Sequence, residues 1–567
     1  MIIEKVEVIG FRNFAQATIR FNESTLVTGS NDIGKTNLIY AIRVLLDKSL
    51  SERDIEPQST DFHIFEDGSQ SKQYSITIFF KDINEDAALS SLKGHVSDDG
   101  CSIFKFVADD SFDYKIYIGS DEANLEEIPS RYYLKYINLR YVKSRRDLKK
   151  FIDIEKKQLL NLSKESRDTI ESSNDDLQLS KISRGLNVIN ERVRRLNYVK
   201  ESTSLVNDEL KKLSHSYDDY SVHLDSGAIK VHQFIDNLEL GASSAGAKLM
   251  LGGDGRDNQI LLALWKAKSE REFDPVHEVT FYCVEEPEAH LHPHQQRKLA
   301  DYLIKELPGQ TIITSHSPQI AARYKPNSIV RITSKSGNSY AANNGCSDCI
   351  STAWDNLGYR MSILPAEAFF SHCVFLVEGP SEQLFYQELA YSSGIDLDYF
   401  NISILCVDGV QFDVYGKILD ALEIPWVMRT DNDVSKVPYK DLKNLAGINR
   451  CLNIKGLAPY PHYTIQTTPQ SLVQNGVWAN VSNIINPLGL YLSQVDLEHD
   501  IALELPHELL GYANTTDISV AISYLQAQKA IRMREFLVLH KNQLKNISTG
   551  LLIQPLIHAK RIAEGVK

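Results

Sequence analysis

Gly29-Ser30-Asn31-Asp32-Ile33-Gly34-Lys35-Thr36 decides how the N-terminal half of this chain is read. Leu26-Val27-Thr28 before it has the look of a short buried strand. Lys35 to Asp47 after it carries Leu38, Ile39, Ile42 and Leu46 on one face of a helix. A strand, a loop opening and closing on glycine, then Lys-Thr at a helix start is the pattern that grips phosphates. The glycines let backbone N–H groups close on the β- and γ-phosphates, helped by the positive end of the helix. Lys35 neutralises phosphate charge, and the Thr36 hydroxyl ligates Mg²⁺. ATP is the expected cofactor.

Such a loop needs acids at the end of a neighbouring strand. Val279-Thr280-Phe281-Tyr282-Cys283-Val284 and Gln310-Thr311-Ile312-Ile313-Thr314 are apolar runs of the kind buried in parallel sheets. The first leads into Glu285-Glu286-Pro287-Glu288-Ala289-His290. There Glu285 would hold the Mg²⁺ hydration shell and Glu286 would orient or deprotonate an attacking water. The second leads into Ser315-His316-Ser317-Pro318. A lone loop histidine is ordinarily structural, but this position suits His316 to sensing the γ-phosphate.

A separate set of acids lies in the C-terminal third: Val377-Glu378-Gly379-Pro380-Ser381-Glu382, Thr430-Asp431-Asn432-Asp433 and Val495-Asp496-Leu497-Glu498. Around them Cys373–Val377, Ile402–Val407 and Trp426–Met428 read as strands, with helices from Ser381 and over Val414–Leu422. That alternation predicts a second α/β domain with parallel strands. Glu378 ends a strand and Glu382 lies one helical turn on. The i,i+2 spacing of Asp431 with Asp433, and of Asp496 with Glu498, points each pair one way. Taken singly, such pairs are ordinary solvated charges. Together they are costly, because like charges ~4 Å apart repel by about 4 kcal/mol at an effective dielectric of 20. Bound cations remove that cost. Hard oxygen ligands select Mg²⁺ or Mn²⁺, and two such ions suit phosphodiester cleavage.

The 567 residues are too many for one core. A nucleotide-binding head is expected over 1–142 and 226–350, interrupted by a helical insertion over 143–225 and followed by the second α/β domain over 351–567. The insertion is polar and free of proline, with Leu159, Leu160, Leu162, Ile182, Leu186, Ile189 and Val193 at helical spacings. Ser334–Cys349 reads as a polar loop without periodicity. A net charge of −13 argues against an indiscriminate nucleic-acid coat. The basic stretch Arg140–Lys150 reads first as a solvated helix start, with phosphate tracking as the alternative. Seven cysteines, an odd count, fit a reducing compartment, and Cys346 with Cys349 is an incidental loop pair rather than half a zinc site. With no apolar run near ~20 residues and no signal-like start, a cytoplasmic protein away from membranes is expected.

The nucleotide motifs, with Phe11-Arg12-Asn13-Phe14, resemble the ABC-type ATPase heads of chromosome-maintenance and recombination ATPases. The resemblance implies nucleotide contacts from Arg12, Asn31 and Asn37, and a signature loop at Leu251-Gly252-Gly253-Asp254-Gly255-Arg256. Glu285 stands where that family usually has Asp, and the loop lacks the family's serine. Both departures favour ATP binding over rapid hydrolysis. The order Glu-Gly-x-x-Glu, then Asp-x-Asp, is similar to a Toprim domain.

A head followed by Toprim resembles the overcoming-lysogenization-defect nucleases, most closely the nuclease subunits of Gabija-type anti-phage systems. Gly447-Ile448-Asn449-Arg450-Cys451-Leu452-Asn453 and Tyr491–Glu498 carry that likeness further. It implies cleavage of phage DNA, with Glu378, Glu382, Asp431, Asp433, Asp496 and Glu498 as metal ligands and Lys529 stabilising the transition state. It also implies a homo-oligomer, dimer or tetramer, built through the insertion, and a helicase-like partner subunit. The rival readings are a topoisomerase-like strand passer and a non-catalytic ATP-driven clamp. None of the 26 tyrosines sits in a recognisable nucleophile motif.

Overall fold

The computed structural model describes residues 1–143, 148–213, 278–346 without 290, and 366–565 without 408 and 410, plus short pieces between 222 and 271. It divides into two compact units, Met1–Ser144 with Phe273–Lys567, and Arg145–Glu272. The expected signature loop at Leu251–Arg256, Cys349, and part of the basic stretch (144–147) lie outside the described residues.

Before the break the chain forms β1 (Ile2–Phe11), β2 (Phe14–Arg20), β3 (Ser24–Thr28), β4 (Gln73–Lys81), β5 (Ser102–Asp109), β6 (Tyr114–Gly119), β7 (Leu125–Ile128) and β8 (Ile137–Lys143). Six of them make an antiparallel sheet in the order β2-β1-β4-β5-β6-β7. In β1, Ile3, Val6 and Val8 are buried while Lys5 and Glu7 are not, the alternation of a sheet with one face on a core. That core is shared with the helix Lys35–Leu46, which buries Leu38, Ile39, Ile42, Leu45 and Leu46.

The smaller unit holds the helices Leu148–Glu165 and Thr169–Arg194 and two shorter ones, Asn197–Glu201 and Ser204–Leu213. Asp168 caps the long helix, accepting a 2.7 Å hydrogen bond from the Glu171 N–H. Leu177, Val188 and Ile189 of that helix are exposed. A short antiparallel pair, β9 (Ala242–Ser244) with β10 (Ala247–Leu249), belongs to the same unit.

The nucleotide half is completed by β11 (Val279–Glu285), β12 (Thr311–Thr314), β13 (Ile329–Lys335) and β14 (Asn338–Ala341). The second sheet has the order β14-β13-β3-β12-β11-β8, parallel except for the edge strand β14. Every residue of β11 and β12 is buried, as their apolar runs require. Register pairs Glu285 with Thr314 and Thr314 with Val27, so the loops leaving β3, β11 and β12 open on one edge.

One sequence expectation fails here. Within the stretch expected as an aperiodic loop, Ser334–Cys349, the residues up to Ala341 belong to a hairpin of β13 and β14 turning at Ser336 and Gly337, both at positive φ. β14 is only four residues long and mostly polar, so alternation was too faint to read. Yet Ser339 is buried, and its N–H donates to the Asn13 carbonyl at 2.9 Å.

The C-terminal half centres on β15 (Cys373–Val377), β16 (Ile402–Cys406), β17 (Trp426–Thr430), a small antiparallel sheet of β18 (Ser435–Lys436), β19 (Leu442–Asn444) and β20 (Tyr463–Thr464), and β21 (Leu490–Leu492). The main sheet runs β16-β15-β17-β21, all parallel. Phe375, Phe385, Tyr386 and Leu389 pack beneath it with the helices Lys529–His540 and Gln554–Ala563. Among the described residues no helix is long and apolar enough to cross a membrane.

Candidate nucleotide and metal sites

The phosphate loop is held by its own side chains. Gly34 caps the helix Lys35–Leu46 at φ 106°, and a Cβ there would lie 2.0 Å from the Asn13 amide nitrogen. Lys35 Nζ donates to the Gly29 carbonyl at 3.0 Å and the Ser30 carbonyl at 2.7 Å. Burial lowers its pKa to about 8, against the opposing pull of Glu286, Asp32, Glu288 and Glu285. Asn13 donates to the Ile33 carbonyl at 2.6 Å and accepts from Asn37 at 2.8 Å. Arg12 reaches the Asn37 side-chain oxygen at 2.9 Å, pairs with Asp61, and lies over the Tyr40 ring. Thr36 and Asn31 are exposed.

The two acids after β11 are treated differently. Glu285 is buried and accepts from the Tyr141 hydroxyl, with its Oε1 unpaired. Glu286 is exposed, sits at φ 44°, and has its carboxylate 3.5 Å from His316 Nε2. Burial and the Lys35 charge lower the His316 pKa. Glu288 fixes the loop beneath them, accepting from the Ser315 hydroxyl and the His316 N–H, each at 2.7 Å.

In the C-terminal half, Glu378, Glu382, Asp431, Glu498 and Lys529 line one cleft of about 230 Å³. Glu382 Oε2 accepts from the Gly379 N–H at 2.6 Å, and its Oε1 lies 3.7 Å from Arg429. Burial raises its pKa to about 7, the nearby Glu378 and Glu498 acting the same way and Arg429 opposing. Burial, then Glu382 and Glu378, pushes Asp431 well above the usual carboxylate range. Burial likewise raises Glu498, whose Oε2 is buried without a partner. Burial works against the Lys529 charge, but the carboxylates of Glu498, Asp431, Asp496 and Glu382 outweigh it and raise that pKa. Beneath the cleft Arg429, fully buried, donates to Asp500 at 2.6 Å.

The remaining acids are engaged by neighbours. Asp496 caps the helix Leu497–Glu504, accepting from the His499 N–H at 2.9 Å, and its carboxylate also meets His499 Nδ1 at 2.6 Å and Gln526 at 2.7 Å. Asp433 pairs with Arg450 at 2.9 Å. Asp431 and Asp433 lie on the loop after β17, which ends at Thr430, rather than on the strand itself. Asp431 accepts from Ser493 at 3.2 Å. Asp496 and Glu498 likewise belong to a helix start rather than a strand. Among the described residues no three His, Cys, Asp or Glu side chains are closed into a ready ion cage.

Residues 1–321 match the AAA ATPase domain family. The chain belongs to that family. Residues 369–433 match the overcoming lysogenization defect protein-like TOPRIM domain, so an AAA ATPase head precedes a TOPRIM domain here. The chain is a homologue of Endonuclease GajA from Bacillus cereus (strain VD045), 24% identical over 570 residues that cover 94% of this chain and 95% of the relative. A second Endonuclease GajA, from Bacillus cereus (strain HuB5-5), is 24% identical over 200 residues, 30% of this chain and 29% of its own. Among solved structures it is similar to an Smc head bound to the C-winged helix domain of ScpA, 19% identical with TM-score 0.37, covering 60% of this chain and 97% of that one. It is also similar to the Pyrococcus furiosus Smc head with an extended coiled coil, 17% identical with TM-score 0.36, covering 63% and 98%.

Around the AAA ATPase and TOPRIM sites stand residues that sequence reasoning did not single out. Arg429 and Asp500 form the buried floor under the acids, and Arg450 and His499 hold Glu378 and Asp496. Glu288 braces the His316 loop. Arg429 was the most findable, since an arginine inside an apolar strand needs a buried acid.

Proposed function

We propose that this chain is an ATP-regulated, divalent-metal-dependent DNA endonuclease of a bacterial anti-phage system. The observation that carries the reading is the small cleft shared by Glu378, Glu382, Asp431, Glu498 and Lys529. The donor set fits Mg²⁺ or Mn²⁺: it is made of carboxylates, and Glu498 Oε2 is buried without a hydrogen-bond partner among the described residues. Glu378, Glu382, Asp431 and Glu498 would hold the metal, with Asp496 beside them and Asp433 available once released from Arg450. When bound, the metal supplies a Lewis acid for phosphodiester hydrolysis. Lys529 places its raised-pKa ammonium where negative charge develops on the leaving oxygen.

ATP suits the phosphate loop, whose Lys35 now spends its charge on two backbone carbonyls. Arg12, Asn31, Gly34, Lys35, Thr36 and Asn37 would meet the nucleotide. Glu285 and Glu286 would meet its Mg²⁺ and water, with His316 at the γ-phosphate. A cleft between the phosphate loop and the N-terminal edge of the TOPRIM sheet supports regulation by that nucleotide. A cleft of about 710 Å³ has Gly29, Asn31 and His316 on one wall and His372, Asp398 and Ser403 on the other. Assembly into a homo-oligomer through the insertion, and a helicase-like partner, complete the reading.

The test is cleavage of supercoiled DNA by the purified full chain with Mg²⁺ or Mn²⁺ across an ATP titration. Wild type is expected to nick or cut. Glu378→Ala is expected to lose at least a hundredfold in rate while still binding ATP. Equal cleavage by both proteins would remove the TOPRIM site from the reaction.

A further inference from the structure

We propose that Arg450 is the exchangeable counter-ion of the metal-free TOPRIM site, released from Glu378 and Asp433 when a divalent ion enters. The inference rests on reading the cleft as a divalent-metal site. It concerns how that site is kept when empty and what sets its affinity.

Arg450 stands on the helix Ala446–Ile454 and spreads its two guanidinium arms between acids from different segments. Nη1 donates to Glu378 Oε1 at 2.6 Å, and Nη2 donates to Asp433 Oδ2 at 2.9 Å. Glu378 Oε1 is fully used, since it also accepts from the Thr430 hydroxyl and from the Asp431 N–H at 2.9 Å. Glu378 Oε2 takes no hydrogen bond among the described residues. The guanidinium therefore does for this pair what a divalent ion would do, spanning two carboxylates with one positive centre.

The site's other arginine has a different role. Arg429 is fully buried between Asp500 and Glu382 and has no path to water. Withdrawing it would strand a charge in the core, so it is a permanent part of the floor. Arg450 is itself only 10% exposed, but it meets Asp433 at a carboxylate that is 50% exposed. Its long side chain can leave for solvent there, and Asp433 loses little by being uncovered. Glu382, Asp431 and Asp496 take their own partners from Gly379, Ser493, and His499 with Gln526. Among the described residues Arg450 alone ties Glu378 to Asp433.

Competition for the same two carboxylates fixes the direction of the effect. Removing the guanidinium removes a cation that an entering ion must displace, so metal binding should strengthen. A residue that merely oriented Glu378 would give the opposite sign. The test is Mn²⁺ binding to the DNA-free full chain by titration calorimetry, with wild type, R450Q, R450K and E378Q. R450Q is expected to bind Mn²⁺ at least tenfold more tightly than wild type. R450K should fall between them, because lysine keeps the charge but not the fork.

Metal-free R450Q should melt lower than wild type and gain more in Tm on adding Mn²⁺. If R450Q does not fold, R450K carries the comparison with the same expected sign. Unchanged or weaker binding in the arginine variants, with binding lost only in E378Q, overturns the proposal and leaves the metal reading standing. No binding by any of the four overturns both.

Discussion

Lys35 shows how a single side chain can be tuned by where the fold puts it. Its ammonium is buried against the Gly29 and Ser30 carbonyls, and burial brings its pKa from 10.5 to about 8. Between those values the unfolded chain keeps a proton that the folded protein has given up, so this lysine's contribution to stability rises with pH there. Below about 8 the charge is present at a standing cost, which a bound phosphate would relieve. Nucleotide binding is therefore expected to be level with pH up to about 8 and to weaken above it, approaching tenfold per unit. Lys35→Arg, which keeps its charge, should stay level. Fluorescent ATP-analogue titrations from pH 7 to 9.5 check this, and a wild-type profile as flat as the arginine variant's would refute it. The motif around Lys35 was legible because the lysine's own partners, the Gly29 and Ser30 carbonyls, lie within the loop. Glu288 and Arg450 were not, since their partners lie 17 to 72 residues away in sequence and come together only in the folded chain.

At the scale of elements, the helix Ala446–Ile454 is the brace of the acidic loop after β17. Gly447 is where they touch. A Cβ there would sit 2.2 Å from the Asp431 carbonyl oxygen and 2.8 Å from the Asp433 N–H nitrogen. The Gly447 N–H also donates to the Asp433 carbonyl at 3.0 Å. Gly447→Ala must push the loop away, at about 1–3 kcal/mol for an overpacked contact. It is expected to lower Tm, and to weaken Mn²⁺ binding at least tenfold by displacing Asp431, while ATP-analogue binding stays as in wild type. Thermal melts and calorimetry check it, and unaltered Mn²⁺ affinity would show that the loop tolerates the shift. The long apolar strands of both parallel sheets were readable because burial on both faces leaves continuous runs. The β13–β14 hairpin and the helix cap at Asp496 were not. A four-residue edge strand carries too little alternation, and Asp-x-Glu suits a helix start as well as a strand end.

At the scale of the whole larger unit, the proposed regulation needs a physical link from the phosphate loop on one sheet to the acids on another. β13 lies beside β3, the strand that delivers the phosphate loop, with Arg331 paired to Thr28 in register. The Arg331 guanidinium crosses into the TOPRIM half, donating to the Leu422 carbonyl at 3.2 Å and the Glu423 carbonyl at 2.9 Å. Glu423, at φ 49°, returns the contact through its side chain, accepting from the Tyr340 hydroxyl and the Asn343 N–H, each at 2.9 Å. One residue thus joins the hairpin to the end of the helix Phe412–Ala421, and no local sequence pattern announces it. These bonds are partly exposed and together contribute only about 1–2 kcal/mol, so losing them should loosen the joint rather than unfold either half. Glu423→Ala is expected to keep ATP-analogue binding and metal-dependent cleavage without nucleotide near wild-type levels. The ratio of cleavage rates with and without ATP should move at least halfway towards one. Paired rate measurements on supercoiled DNA decide it: a ratio unchanged from wild type would mean that nucleotide state reaches the acids by another path, the shared cleft at His372 and Asp398 being the next to probe.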